Sequence, residues 1–147
     1  MTPDEIDLIL ADGALIRADA DSFASSFYDT LFEIAPATRQ LFPDDMTAQR
    51  GKLVDELAVL IDAVSPSPDG ATIETFLDRA HDLGRRHVEY GVQGSHYAPV
   101  RTALLAALRT RIDGWSPDHH AAWDKLFRLI SDVMREGAES AHAAGPA

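Results

Sequence analysis

Residues 83–92 read LGRRHVEYGV. A histidine, His87, closes a run of apolar residues, and a glycine, Gly91, follows within four positions. Working backward, Leu83, Gly84, Ala80 and Phe76 share one face of an α-helix with His87 by their spacing. Gly91 suits the position just past the end of such a helix. His87 therefore points at an interior. It is either an ordinary core histidine bonded to a carbonyl or a ligand for something held inside.

On both sides of this stretch the helical period recurs. Thr2-Pro3-Asp4-Glu5 has the form of a capping box with proline in the first turn. Ile6, Ile9, Leu10 and Leu15 give that helix its apolar side, with Gly13 a weak point. A second helix starts at Asp21 or Ser22 and carries Phe23, Phe27, Tyr28, Leu31 and Phe32 as one broad stripe. Pro36 opens a short turn of helix that ends at Leu41-Phe42-Pro43, because proline forces Phe42 toward extended backbone. A third full helix runs from Thr47 to about Val64, with Leu53, Leu57, Leu60, Ile61 and Val64 inward. The loop SPSPDG, residues 65–70, separates it from the helix that bears Ile73 and His87. Ser95 starts the next, with Pro99 confined to its first turn and Val100, Leu104, Leu105, Leu108 and Ile112 on its stripe. Ser116-Pro117-Asp118 starts the last, which buries Trp123, Phe127, Ile130 and Met134.

The expectation is an all-α domain over residues 1–142, six full helices plus one short one, followed by a short flexible tail at 143–147. A chain of 147 residues suits one domain with one core.

Composition narrows the chemistry. There is no cysteine, which removes disulfides, thiol catalysis, cysteine-bound clusters and covalent CxxCH haem attachment. The net charge of −11 with histidine neutral makes nucleic acid and anionic membranes poor partners. No apolar run approaches the roughly 20 residues of a membrane span. The first residues are acidic where a secretory signal is basic, so the expected location is the cytoplasm. The HExxH, GxSxG and P-loop patterns are all missing. His119 and His120 fall in a charged first turn and His142 near the tail, so these three are expected in solvent. His81 precedes His87 by a step of about 600°, which puts the two on different faces.

A single inward imidazole beside apolar walls is what haem requires. Tyr28, among the aromatics of FYDTLF, offers a polar group for such a pocket, although a core tyrosine with its hydroxyl reaching solvent reads as well. Gln49, one turn before Leu53, is either a second polar group or a boundary residue.

The ordered segments FYDTLFEIAPATRQLF, MTAQRGKL, LGRRHVEYGV and the following HY resemble bacterial globins. They are most similar to the globin domain of flavohaemoglobins, across roughly residues 3–137. The resemblance implies the globin fold around haem b, with His87 as the proximal iron ligand. Tyr28 matches the distal tyrosine and Gln49 the distal glutamine, though a slip of one residue would offer Arg50. Phe42 matches the phenylalanine wedged against the porphyrin, and Leu53 and Leu57 line the distal wall. Val92 matches the porphyrin-edge segment and Tyr97 a proximal tyrosine. Lys52, Arg85 or Arg86 could meet the propionates, or be a solvated face. The pattern departs in one place: a glutamate that supports the proximal histidine in flavohaemoglobins corresponds here to Ala138, with Glu136 and Glu139 out of register.

Three functions follow as expectations. One is reversible binding of dioxygen, with carbon monoxide and nitric oxide as further ligands. Another is oxidation of nitric oxide to nitrate with a separate reductase, since these 147 residues hold no flavin or nicotinamide domain. The third is gas or redox sensing. The expected assembly is a monomer or homodimer.

Overall fold

The computed structural model describes residues 1–65 and 71–143. Six α-helices follow in order: α1 Pro3–Ala18, α2 Ala20–Ile34, α3 Thr47–Ala63, α4 Ala71–Glu89, α5 Tyr97–Arg111 and α6 Pro117–Ala143. Two 3-10 segments join them, Pro36–Leu41 between α2 and α3 and Gly94–His96 before α5. No strand occurs among the described residues, and no helix there is long and apolar enough to cross a membrane.

The starts are set by local chemistry. Thr2 accepts from the Glu5 amide while Glu5 accepts from the Thr2 amide, the reciprocal box expected of this tetrad. Glu5 also pairs with Lys125 at 2.8 Å, tying α1 to α6. The Lys125 bond and the Thr2 amide hold its carboxyl at about 2. Asp19 alone separates α1 from α2, with φ −131° and ψ 43°, so α2 begins before the expected Asp21. Phe42 is extended at φ −123° and ψ 154°, as a residue before proline should be. The 65–70 loop lies outside the described residues apart from Ser65. So do the side chains of Ile73 and His142, and the tail beyond Ala143.

Trp123, Phe23, Ile9, Leu31, Leu108 and Leu126 are the largest fully buried side chains. Trp123 Nε1 donates at 2.9 Å to Asp12 on α1, a buried carboxylate. His119 Nε2 lies 3.7 Å from the other Asp12 oxygen and its ring stacks on Trp115. The expectation of a solvated His119 is therefore corrected: an aromatic one turn back and a carboxylate from α1 enclose it. His120 is exposed. Leu15 is also corrected. It is 56% exposed and Ile16 is buried in its place, because α1 turns the Ile9–Ile16 face inward. Gly13 is a packing position, since a Cβ there would stand 3.2 Å from the Ile61 side chain.

α4 and α6 approach each other at two glycines. A Cβ on Gly84 would fall inside the Met134 carbonyl, and one on Gly137 inside the carbonyl of His81. These two positions let the helix that carries His87 lie backbone to backbone on α6. Gly51 on α3, by contrast, has nothing within 4 Å of its absent Cβ.

Candidate functional site

α4 stops just beyond His87, and its ending fixes the histidine. Gly91 has φ +87°; the Val92 amide bonds to the His87 carbonyl and the Gly91 amide to the Val88 carbonyl. That pair is a Schellman ending, which needs a residue with positive φ and takes glycine.

His87 is half-buried. Its Nδ1 lies 2.7 Å from the Leu83 carbonyl oxygen. A carbonyl only accepts, so Nδ1 carries the proton and Nε2 is the bare nitrogen. Nε2 has no hydrogen-bond partner among the described residues. Burial lowers the imidazole pKa, the Leu83 bond opposing it. The ring is thus neutral at neutral pH, the form that coordinates a metal. No group of three or more His, Asp or Glu that could hold a metal ion occurs among the described residues. The chemistry on offer is one imidazole nitrogen.

The second half of the site comes from α2, the turn after it and α3. Gln49 Nε2 donates to the Tyr28 hydroxyl oxygen at 3.1 Å. Tyr28 is 5% exposed, and burial raises its pKa, the Gln49 bond opposing it. The phenol is therefore protonated. Its oxygen accepts from Gln49, and its own hydrogen remains free to donate. Arg50 pairs with Asp21 at 2.9 Å, so Gln49 and not Arg50 meets Tyr28.

Around the phenol stand Phe27, Phe42 and Phe32, with ring centroids 4.7, 5.3 and 5.9 Å away. Arg39 holds Phe42 in place: its guanidinium donates to the carbonyls of Phe42, Pro43 and Asp44 and lies 5.1 Å from the Phe32 centroid. Leu57 is buried, and Leu53, Leu83 and Val92 are half-buried.

Of the predicted residues, Tyr28, Gln49 and Phe42 are brought into one cluster. Tyr97 is buried under the Arg135 guanidinium, 4.9 Å from its ring centroid, and the acceptor for His87 is the Leu83 carbonyl. Arg86 reaches Asp82 at 3.0 Å and Glu56 on α3 at 3.8 Å. Lys52 and Arg85 are exposed. Sequence reasoning placed Phe32 among the aromatics of FYDTLF around the Tyr28 hydroxyl but missed its contact with the Arg39 guanidinium. It also missed Arg39 and the Leu83 carbonyl, whose roles depend on backbone acceptors that leave no mark in a sequence.

Residues 25–134 match the globin family, well over half of the chain. The anaerobic nitrite reductase NSHB5 of Oryza sativa subsp. indica is 29% identical over 142 residues, covering 92% of this chain and 94% of that protein. Among solved structures, a bacterial globin from Campylobacter jejuni superposes with a TM-score of 0.82 at 16% identity, over 97% of this chain and 99% of that one. A hemoglobin from the botfly Gasterophilus intestinalis gives 0.79 at 14% identity, over 95% and 99%.

Proposed function

The chain belongs to the globin family, and from that premise we propose that it binds dioxygen reversibly on haem b held by His87, with a flavohaemoglobin-like polar pair of Tyr28 and Gln49. The observation that carries this reading is a neutral imidazole with one nitrogen bonded to Leu83 and the other bare.

The residues fit the group. His87 would hold the iron through Nε2, and Phe42, Leu53, Leu57 and Val92 would supply the apolar walls a porphyrin needs. When bound, haem supplies an iron with an open position for a diatomic gas. The Leu83 carbonyl fixes the His87 tautomer and aims the ring, the role that outer hydrogen-bond partners play for ligating histidines. A neutral carbonyl pulls on the Nδ1 proton less than a carboxylate does. With Ala138 where a glutamate would stand, His87 keeps imidazole rather than imidazolate character, which suits ligand storage better than oxidative bond cleavage. The Tyr28 hydroxyl, oriented by Gln49, presents a donor to a gas ligand that gathers negative charge. The phenylalanines keep water from competing for it.

An absorption spectrum of the purified protein, with hemin supplied, tests the reading. A Soret band that is lost or shifted in His87→Ala is expected. A colourless wild type, or an unchanged band in His87→Ala, refutes it.

A second reading is reduction or oxidation of a nitrogen oxide with an external reductase in the cytoplasm. The name of the rice relative supports it, at 29% identity over 92% of this chain. Its test is anaerobic mixing of the reduced protein with nitrite. Release of nitric oxide in a cycle sustained by added reductant supports it, and a single slow turnover rejects it.

A further inference from the structure

Residues 42–46, between the first 3-10 segment and α3, belong to no helix. In this turn the carbonyls of Phe42, Pro43 and Asp44 all accept from one side chain, the Arg39 guanidinium, at 3.3, 2.9 and 3.2 Å. None of the three has another hydrogen-bond partner among the described residues. We propose that Arg39 is a positioning residue for the gas site: by gathering this turn it sets where α3 starts, and so aims the Gln49 amide at the Tyr28 hydroxyl. Its effect on a gas ligand rests on the haem proposal above; its effect on the Tyr28–Gln49 bond does not.

The turn hands its position to α3 directly. Asp45 follows the clamped carbonyls and accepts from the Thr47 amide at 3.0 Å, a bond that holds its carboxyl below the usual carboxylate range. α3 begins at Thr47, and the Arg50 amide bonds to the Met46 carbonyl at 2.9 Å. Gln49 therefore lies in the first turn of α3, from which its Nε2 reaches the Tyr28 hydroxyl at 3.1 Å. The first amides of a helix have no partner within it, so the place of a first turn is set by what precedes it. The Arg50–Asp21 pair also touches this turn, but the Asp21 side chain is 79% exposed, and a pair so open to water contributes little.

The task calls for arginine. A guanidinium presents its donors as a planar fork that spans several carbonyls, whereas an ammonium is a single point of charge. No carboxylate pairs with Arg39 among the described residues, so its donors are left to the turn. Its cationic plane lies 5.1 Å from the Phe32 centroid. Phe32 in turn stands 5.6 Å from Phe42 and 5.9 Å from Tyr28. Fork and face together fix the half-buried side chain between the turn and the aromatic cluster.

Two variants test this. Arg39→Met keeps a long apolar stem over Phe32 and removes the donors; Arg39→Lys keeps the charge and removes the fork. In haem-free protein, nuclear Overhauser contacts between the Gln49 side-chain amide and the Tyr28 ring are expected in the wild type and are lost in both variants. In haem-loaded protein, both variants release dioxygen several-fold faster, up to the effect of Gln49→Leu, and release carbon monoxide at the wild-type rate. Added to Gln49→Leu, Arg39→Met changes dioxygen release no further, because both act through one side chain. The proposal is overturned if the Gln49–Tyr28 contacts survive in Arg39→Met, or if Arg39→Lys behaves as the wild type, which makes charge the agent. It is also overturned if dioxygen and carbon monoxide release speed up together, the mark of loosened Phe42 packing alone, or if Asp21→Asn has an equal effect. A colourless wild type whose Gln49–Tyr28 contacts still depend on Arg39 defeats the haem reading and leaves the positioning of Gln49 standing.

Discussion

Tyr28→Phe removes one oxygen atom from the centre of the proposed gas pocket and leaves the ring stack of Phe27, Phe32 and Phe42 in place. In the wild type the Gln49 amide donates to the phenol oxygen at 3.1 Å, so the hydroxyl hydrogen is uncommitted and the gas ligand is its natural acceptor. A hydrogen bond to a group bearing charge contributes about 1.5–3 kcal/mol. At 1.36 kcal/mol per factor of ten, its loss speeds dioxygen release about 10- to 150-fold. Carbon monoxide gathers little charge, so its release changes by no more than about twofold. Gln49→Leu acts indirectly: the phenol stays but loses the bond that orients it, about 0.5–1.5 kcal/mol, so dioxygen release rises several-fold. In the Tyr28→Phe background the freed Gln49 amide can turn to the ligand, so the two effects do not add. Stopped-flow displacement of dioxygen by carbon monoxide reads all four members of the cycle. Equal release rates in wild type and Tyr28→Phe refute the reasoning, as do strictly additive effects in the double variant.

Gly84→Ala places a methyl inside the Met134 carbonyl; overpacking of this kind costs about 1–3 kcal/mol, a fall in Tm of about 3–10 °C by calorimetry. Gly51→Ala, on a helix and with nothing nearby, raises stability by about 0.5–1 kcal/mol, and an equal response at both sites would contradict the packing described. Trp123→Phe strands the buried Asp12 carboxylate without its indole donor, a loss of about 1–3 kcal/mol in urea unfolding; adding Asp12→Leu recovers part of it, and no recovery means the carboxylate was never the cost. His87 has its pKa lowered by burial, so below its unfolded value of about 6.5 the unfolded chain binds the proton first. Its stabilising contribution is fully present above that pH and is lost as pH falls through the folded value. Cofactor-free protein should therefore melt at progressively lower temperature below about pH 6.5, and His87→Leu should flatten that part of the curve.

Four helix ends were legible because the chemistry that sets them is local, whereas α2 and α5 begin at Ala20 and Tyr97 rather than at Asp21 and Ser95. Thr2-Pro3, Phe42-Pro43, Gly91 and Ser116-Pro117 act on their own neighbours, and the structure follows each of them. The Tyr28–Gln49 pairing was legible only through the resemblance, since 21 residues separate the partners. Leu15 misled because two adjacent residues, Leu15 and Ile16, both fit an apolar stripe, and only the orientation of α1 chooses between them. His119 misled because its enclosure depends on Asp12, which lies on a different helix. The Leu83 carbonyl, the Arg39 clamp and the interlocked glycines depend on where backbone passes, and side-chain patterns do not record that.

The glycine contact between α4 and α6 has a mechanical meaning. With no side chains between the two backbones, there is nothing to re-rotamerise and no slack to take up. α4 cannot slide or roll alone, and any displacement of the imidazole must drag all of α6, the longest helix, with it. Gly51 leaves the opposite wall, α3, without such an anchor at that point. The histidine side of the site, held through Gly84 and Gly137, behaves as a fixed anvil.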